Sequence, residues 1–175
     1  GELRVAVGIS RSRLEKLRAT ELEEIFLRKM VSRIFFISSI SPVNIKEFVL
    51  AYSRRFEFEN IKRVMRAKHY GEKVEQLIPL TKEQTSVNFA ALLEAEDLAM
   101  VIKMLPERRY PPSAEGLNLY NEYNTTLVLE SQLDKIYYRA VLRAAKKLKD
   151  RDVIRLIGME IDVRNILTLL TMNVR

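Results

Sequence analysis

Few residues in this chain are of the types that do covalent chemistry. His69 is the single histidine and there is no cysteine. A thiol nucleophile, a disulfide, a Cys-ligated metal and a His-rich metal site are therefore excluded. No carboxylate stands at a recognised ligand spacing from His69, which reads as a surface or helix-end residue. The glycines Gly1, Gly8, Gly71, Gly116 and Gly158 are scattered, so no loop can cradle a phosphate, and no nucleophile elbow or triad pattern occurs. Glu94, Glu96 and Asp97 lie close together, but such a run more often forms a solvated first turn than an acid–base pair. The sequence thus offers no catalytic residue, no metal ligand and no cofactor-binding residue, and it predicts a chain that is not an enzyme.

The remaining chemistry is recognition by charge and apolar surface. Thirty Lys and Arg face 23 acids, a formal charge of +7, which favours an acidic partner, a nucleic acid or an anionic membrane surface. The run Lys146-Lys147-Leu148-Lys149-Asp150-Arg151 ends a long helical pattern. Its cations suit the negative end of the helix dipole, or they contact a partner electrostatically. A second group, Arg54-Arg55 with Lys62-Arg63, Arg66 and Lys68, alternates with apolar positions and reads as a solvated helix face. The segment Glu107-Arg108-Arg109-Tyr110-Pro111-Pro112 reads as an exposed contact loop, since Arg and Tyr are enriched at binding hot spots. Arg108, Arg109, Tyr110, Lys146, Lys147 and Lys149 are the candidate partner contacts.

These residues need a scaffold, and the composition selects a helical one. Of the 175 residues, 47% are hydrophobic and only ten are Gly or Pro. So many apolar residues exclude a disordered chain. So few turn formers argue against many short strands. Leu22, Ile25, Phe26, Met30, Ile34 and Ile37 follow helical spacing over 20–38, with Thr20 and Glu23 as a capping box. Ser41-Pro42 separates this helix from a second over 43–55, with Ser as N-cap and Pro in the first turn. A third carries Asn60, Ile61, Val64, Met65 and Lys68 and stops at Gly71. Residues 72–84 read as a loop. Val87–Leu93 and Glu96–Leu105 read as two short helices, and Pro106–Pro112 is the clearest break. Leu127–Leu148 is one long helix, Asp152 caps another with Val153, Leu156, Ile157 and Ile161 on its apolar face, and a last helix starts at Asp162. No strand is convincing. No apolar run approaches the roughly 20 residues that span a bilayer. The N-terminal Gly-Glu-Leu-Arg is not a signal peptide and lacks Met, so the chain reads as processed, tagged or a fragment.

Two stretches share a pattern. In the first, Phe48, Val49, Tyr52, Phe56, Glu57, Asn60 and Ile61 occupy the places that Val153, Ile154, Ile157, Ile161, Asp162, Asn165 and Ile166 occupy in the second, an offset of 105 residues. That period is too long for the common solenoids and indicates a duplicated helical unit, with 1–84 and 85–175 as two incomplete copies. Asn60 and Asn165 each fall about one turn beyond an acid. There an amide side chain can bond a free backbone group where helices meet, or touch a partner. Glu57 and Asp162 sit where caps or dipole partners belong.

This repeated apolar–acid–x–x–Asn-Ile order resembles the C subunit of archaeal- and vacuolar-type rotary ATPases, whose eukaryotic relative is the d subunit. The first copy runs from Phe56 to Gly71 and the second from Glu160 to Leu170. Leu129–Tyr138 looks like the acidic–apolar helix that precedes each Asn-Ile unit in that family. The resemblance covers roughly residues 20–175. It implies an all-α protein with three pseudo-repeats forming a three-fold pseudo-symmetric funnel, in a protein about twice this length. The chain would then be a fragment. It also implies a non-catalytic connector, one copy per complex, peripheral at the cytoplasmic face of the membrane. Such a connector would join the central-stalk subunits to the membrane rotor ring and pass rotation between them during ATP synthesis or ion transport. A basic all-helical nucleic-acid-binding domain is the alternative from another class. It lacks a helix-turn-helix or RNP signature, and the connector reading implies no nucleic-acid partner. A helical enzyme without recognised motifs ranks last.

Overall fold

The computed structural model describes residues 18–74, 76–107, 109–110 and 114–173. All regular structure among the described residues is helical, as expected. Helix α1 covers Ala19–Ile40, α2 Val43–Ser53, α3 Arg55–Tyr70, α4 Phe89–Glu94, α5 Leu98–Met104, α6 Ala114–Tyr123, α7 Leu127–Leu148 and α8 Arg151–Asn173.

Most of these boundaries follow from local chemistry. Gly71 ends α3 with φ of 68°, a left-handed conformation that glycine adopts without a Cβ penalty. The side chains of Asn88 and Asp97 accept from Ala91 N and Met100 N, capping α4 and α5. Four expectations need correction. Asp152 does not cap α8: it lies in the first turn, and the capping carboxylate is Asp150, which accepts from Asp152 N at 2.9 Å and Val153 N at 3.1 Å. The capping carboxylate of α1 is Glu21, which accepts from Arg18 N at 2.8 Å, so Thr20 and Glu23 are not its box. Ser41 closes α1 rather than opening α2, its hydroxyl donating to Ile37 O, and Pro42 stands just before α2. No helix starts at Asp162, because α8 runs unbroken through it. Residues 159–165 contain no breaker, and the single Gly158 costs only about 1 kcal/mol. Helix α6 escaped the sequence pattern altogether, being short, asparagine-rich and next to the prolines.

Helix α7 is the axis on which α2, α3, α6 and α8 pack. The α2–α3 rod runs antiparallel to it. Glu47 meets Lys147, the Tyr52 carbonyl accepts from the Tyr137 hydroxyl, Lys62 meets Asp134 and Arg66 meets Glu130. Helix α8 folds back along α7, bringing Glu160 to Tyr138 and Arg164 to Asp134. Phe58, Ile61, Val64 and Met65 of α3 join Val101, Leu133, Val141 and Ile157 in one core. This core draws on both sides of residue 84. A smaller cluster gathers Val31, Phe56 and Ile78.

The basic cluster of α3 is only in part a solvated face: Arg55 and Arg66 are exposed, but Lys62 is not. Lys62 is 1% exposed, and its ammonium lies between Asp134 and Glu59. The second oxygen of Asp134 accepts from Arg164 Nε at 2.8 Å. Arg66 binds Glu130 through both carboxylate oxygens, at 2.8 and 2.5 Å, and Thr126 donates to the same carboxylate at 2.9 Å. Arg63 and Lys68 donate to the carbonyls of Gln76 and Leu93. The physical reason is helical phase: Phe58, Ile61, Lys62 and Met65 share one face, so a cation is carried into the core and must find acids there.

Burial pushes the Glu130 carboxyl up. The Arg66 hydrogen bonds and charge, with Thr126 and Lys62, outweigh it and hold the pKa below the ordinary 4.5. A depressed carboxylate pKa stabilises the fold above the ordinary value and loses that contribution as pH falls through the lowered one. Glu130→Gln is therefore destabilised at neutral pH, and its gap to the parent chain in urea midpoint narrows between about pH 5 and pH 3. A gap that stays constant across that range would contradict this assignment.

Candidate functional site

The first copy of the repeated motif holds the long connection after α3. Asn60 is buried, and its amide makes two opposed bonds with the backbone of one loop residue: Nδ2 donates to Ile78 O at 2.8 Å and Oδ1 accepts from Ile78 N at 2.7 Å. Only a side-chain amide offers a donor and an acceptor at that spacing. The clamp sets Ile78 against Val31 and Phe56. One helical turn earlier, buried Glu57 accepts from Ser86 N at 3.1 Å and from the Tyr110 hydroxyl. Arg54 and Arg109 stand 3.9 Å from the same carboxylate. Glu57 also lies in the first turn of α3, where a negative charge suits the dipole.

The second copy is placed differently. Asp162 and Asn165 are exposed on α8. Asn165 borders a groove of about 560 Å³ between α7 and α8, with Tyr138, Leu142, Ile161 and Leu169 on its walls. Asn60 and Asn165 therefore share a sequence pattern but not an environment.

The contact candidates separate in the same way. Tyr110 does not face outward: it is buried, edge-on to Phe58, because its hydroxyl is drawn to Glu57. Arg109 is exposed and donates to Ser86 Oγ at 2.7 Å. Arg108 lies outside the described residues. Lys146, Lys147 and Lys149 are exposed where α7 ends, and Lys147 pairs with Glu47 at 2.7 Å. Half-buried His69 meets the Tyr120 hydroxyl at 3.0 Å and ties α3 to α6. Among the described residues no group of three His, Asp or Glu is placed to hold a metal, and no helix is long and apolar enough to cross a membrane.

One surface feature was concealed by the sequence pattern. The inner face of α8 carries Ile154, Ile157 and Ile161 into the core. Its outer face carries Leu156, Met159, Val163, Ile166 and Leu170, all exposed. Their spacing of three and four residues is that of a coiled-coil seam. Leu156 is thus not on the buried face with Ile157, as the periodicity suggested. A helix apolar on two sides has one side to spare, and the alternation was the available signal. The seam is flanked by Arg155 and Asp162, a mixed-charge margin suited to a protein surface.

A family model described as ATP synthase (C/AC39) subunit matches residues 10–174. The chain belongs to this family. Relatives named as the C subunit of A-type ATP synthase agree with the match. The Methanosarcina mazei protein is 26% identical over 139 residues, 74% of this chain and 37% of the relative. The Methanocaldococcus jannaschii protein is 28% identical over 141 residues, 77% of this chain and 35% of the relative. The Thermococcus gammatolerans protein is 27% identical over 154 residues, covering 86% and 41%. The chain thus spans little more than a third of the length of most of these curated relatives. No solved structure matches it significantly. The family gives no support to the nucleic-acid-binding alternative.

Removal of the Asn60 amide leaves the buried Ile78 N–H and C=O unpaired. Asn60→Ala is expected to destabilise the chain by about 2 kcal/mol, read as a lowered melting temperature by circular dichroism, with the exposed α8 seam unaffected. An unchanged melting temperature would show that the clamp does not hold the loop.

Proposed function

We propose that the chain acts in a non-catalytic connector of an A/V-type rotary ATPase, joining the central stalk to the membrane rotor ring. The observation that carries this is the uncovered α8 seam on a helical body joined by inter-helix ion pairs. Passing rotation requires no bond to be made or broken. It requires a body that does not yield under load, which close-packed helices supply, and surfaces that grip helical partners. A helix whose outer face repeats apolar residues at heptad spacing suits a stalk helix laid against it. We assign the exposed Lys146, Lys147, Lys149 and Arg109 to electrostatic contacts with the ring, lipid or stalk. The protein works at the cytoplasmic face, one copy per complex, during ATP synthesis or proton or ion transport. We further read 1–84 and 85–175 as two units of a repeat of about 105 residues within a larger three-fold pseudo-symmetric funnel.

Val163→Asp with Ile166→Asp tests the seam. Both side chains are exposed, so the variant's stability stays within about 1 kcal/mol of the parent's. The tagged parent chain, expressed beside the complex, captures stalk and ring subunits identified by mass spectrometry, and the double variant captures at least about tenfold less. Steeply salt-dependent binding to DNA or RNA, with no capture of those subunits, would overturn the connector reading.

A further inference from the structure

A second uncovered apolar surface lies at one end of the bundle, and its chemistry differs from that of the α8 seam. The turn between α1 and α2 exposes Phe36, Ile40 and Val43 at 64, 68 and 75%, with Ile37 and Ile45 beside them. From Ile25 to Lys46 the chain has no Asp or Glu, while Arg28, Lys29, Arg33 and Lys46 fall within that span. The turn stands beside the end of α7: α1 packs on α2 and α2 on α7, and Glu47, one turn beyond Val43, is paired with Lys147. The antiparallel course of α2 along α7 carries Val43 past that pair, to where α7 stops and α8 begins. Lys46, Lys146, Lys147, Lys149 and Arg151 therefore lie at the same end of the bundle as the turn, all exposed. The acids at this end are Glu47, Asp150 and Asp152. Glu47 is occupied by Lys147, and Asp150 accepts from the backbone N–H groups of Asp152 and Val153.

We propose that this end of the bundle docks on an anionic lipid bilayer, with Phe36, Ile40 and Val43 entering the headgroup boundary and the lysines of the same end facing lipid phosphates. A helical partner calls for a groove or a long stripe with balanced charge at its margins, which the α8 seam has. A protruding apolar turn at a basic end of the bundle fits an interface that is apolar below and negatively charged above. The inference extends the connector reading by giving the protein a lipid partner and an orientation, and it can fail independently of that reading.

Flotation of the full chain with vesicles tests it. The chain rises with phosphatidylcholine vesicles holding about one third phosphatidylglycerol, stays behind with phosphatidylcholine alone, and is released by high salt. Phe36→Ser with Ile40→Ser lowers partitioning at least about tenfold, with circular dichroism unchanged. Lys146→Gln and Lys149→Gln each lower it about fivefold. Equal flotation with neutral vesicles, or partitioning that Phe36→Ser with Ile40→Ser leaves intact, overturns the proposal. So does self-association of the parent chain that this variant abolishes, which would assign the turn to a second copy. The two surfaces separate cleanly: Val163→Asp with Ile166→Asp leaves flotation intact while stalk capture falls. Flotation without stalk capture by the parent chain would refute the connector alone, and capture without flotation would refute the lipid proposal alone.

Discussion

The structure depends on how one ammonium group is kept inside it. Lys62 is 1% exposed, and a charge so placed costs several kcal/mol unless it is paired. Its partners come from two directions, Glu59 on its own helix and Asp134 on α7. Asp134 is itself shared, its other oxygen taken by Arg164 of α8. Three helices thus meet at one carboxylate. A slip of α3 along α7 would carry the buried ammonium away from Asp134. A hydrophobic core tolerates small slips, because apolar contacts are non-directional. This pairing does not, so its chief contribution is register rather than net stability.

Much of the fold was legible in the sequence because it rests on period and punctuation. Both ends of α7, the stop of α3 at Gly71 and the break near Ser41-Pro42 all follow from those two signals. What was not legible were pairings between distant elements. The basic residues of α3 looked solvated because cations usually are. Their phase with Phe58 and Ile61 pointed inward, and Glu130 and Asp134 sit at the matching phase beside Leu133 and Tyr137 on α7. Tyr110 looked exposed because it follows a proline and two arginines. Its inward turn depends on Glu57, more than fifty residues away. The environment of Asn60 also depends on a partner that local spacing cannot name, the Ile78 backbone. Asn165 has the same local spacing and stays exposed.

A division of labour runs through these placements. The ionisable side chains buried within the bundle join helices to one another or to the connecting loops, and among the described residues no group of three His, Asp or Glu is placed to hold a metal. The clamps of Glu57 and Asn60 keep the long loop from opening. What remains for recognition is surface of two kinds: an apolar stripe with mixed charge along α8, and an apolar turn at the basic end of the bundle where α7 stops. Under the connector proposal these surfaces meet a requirement for rigid contact rather than catalysis.

Amide hydrogen exchange on Asp134→Asn tests the central claim most directly, because it asks whether one carboxylate holds three helices. If it does, the variant loses about 3 kcal/mol of stability, and protection falls together across α3, α7 and α8 while the short α4 and α5 keep their relative order. Loss of protection confined to the turn of α7 around residue 134, with α3 and α8 unchanged, would contradict the account.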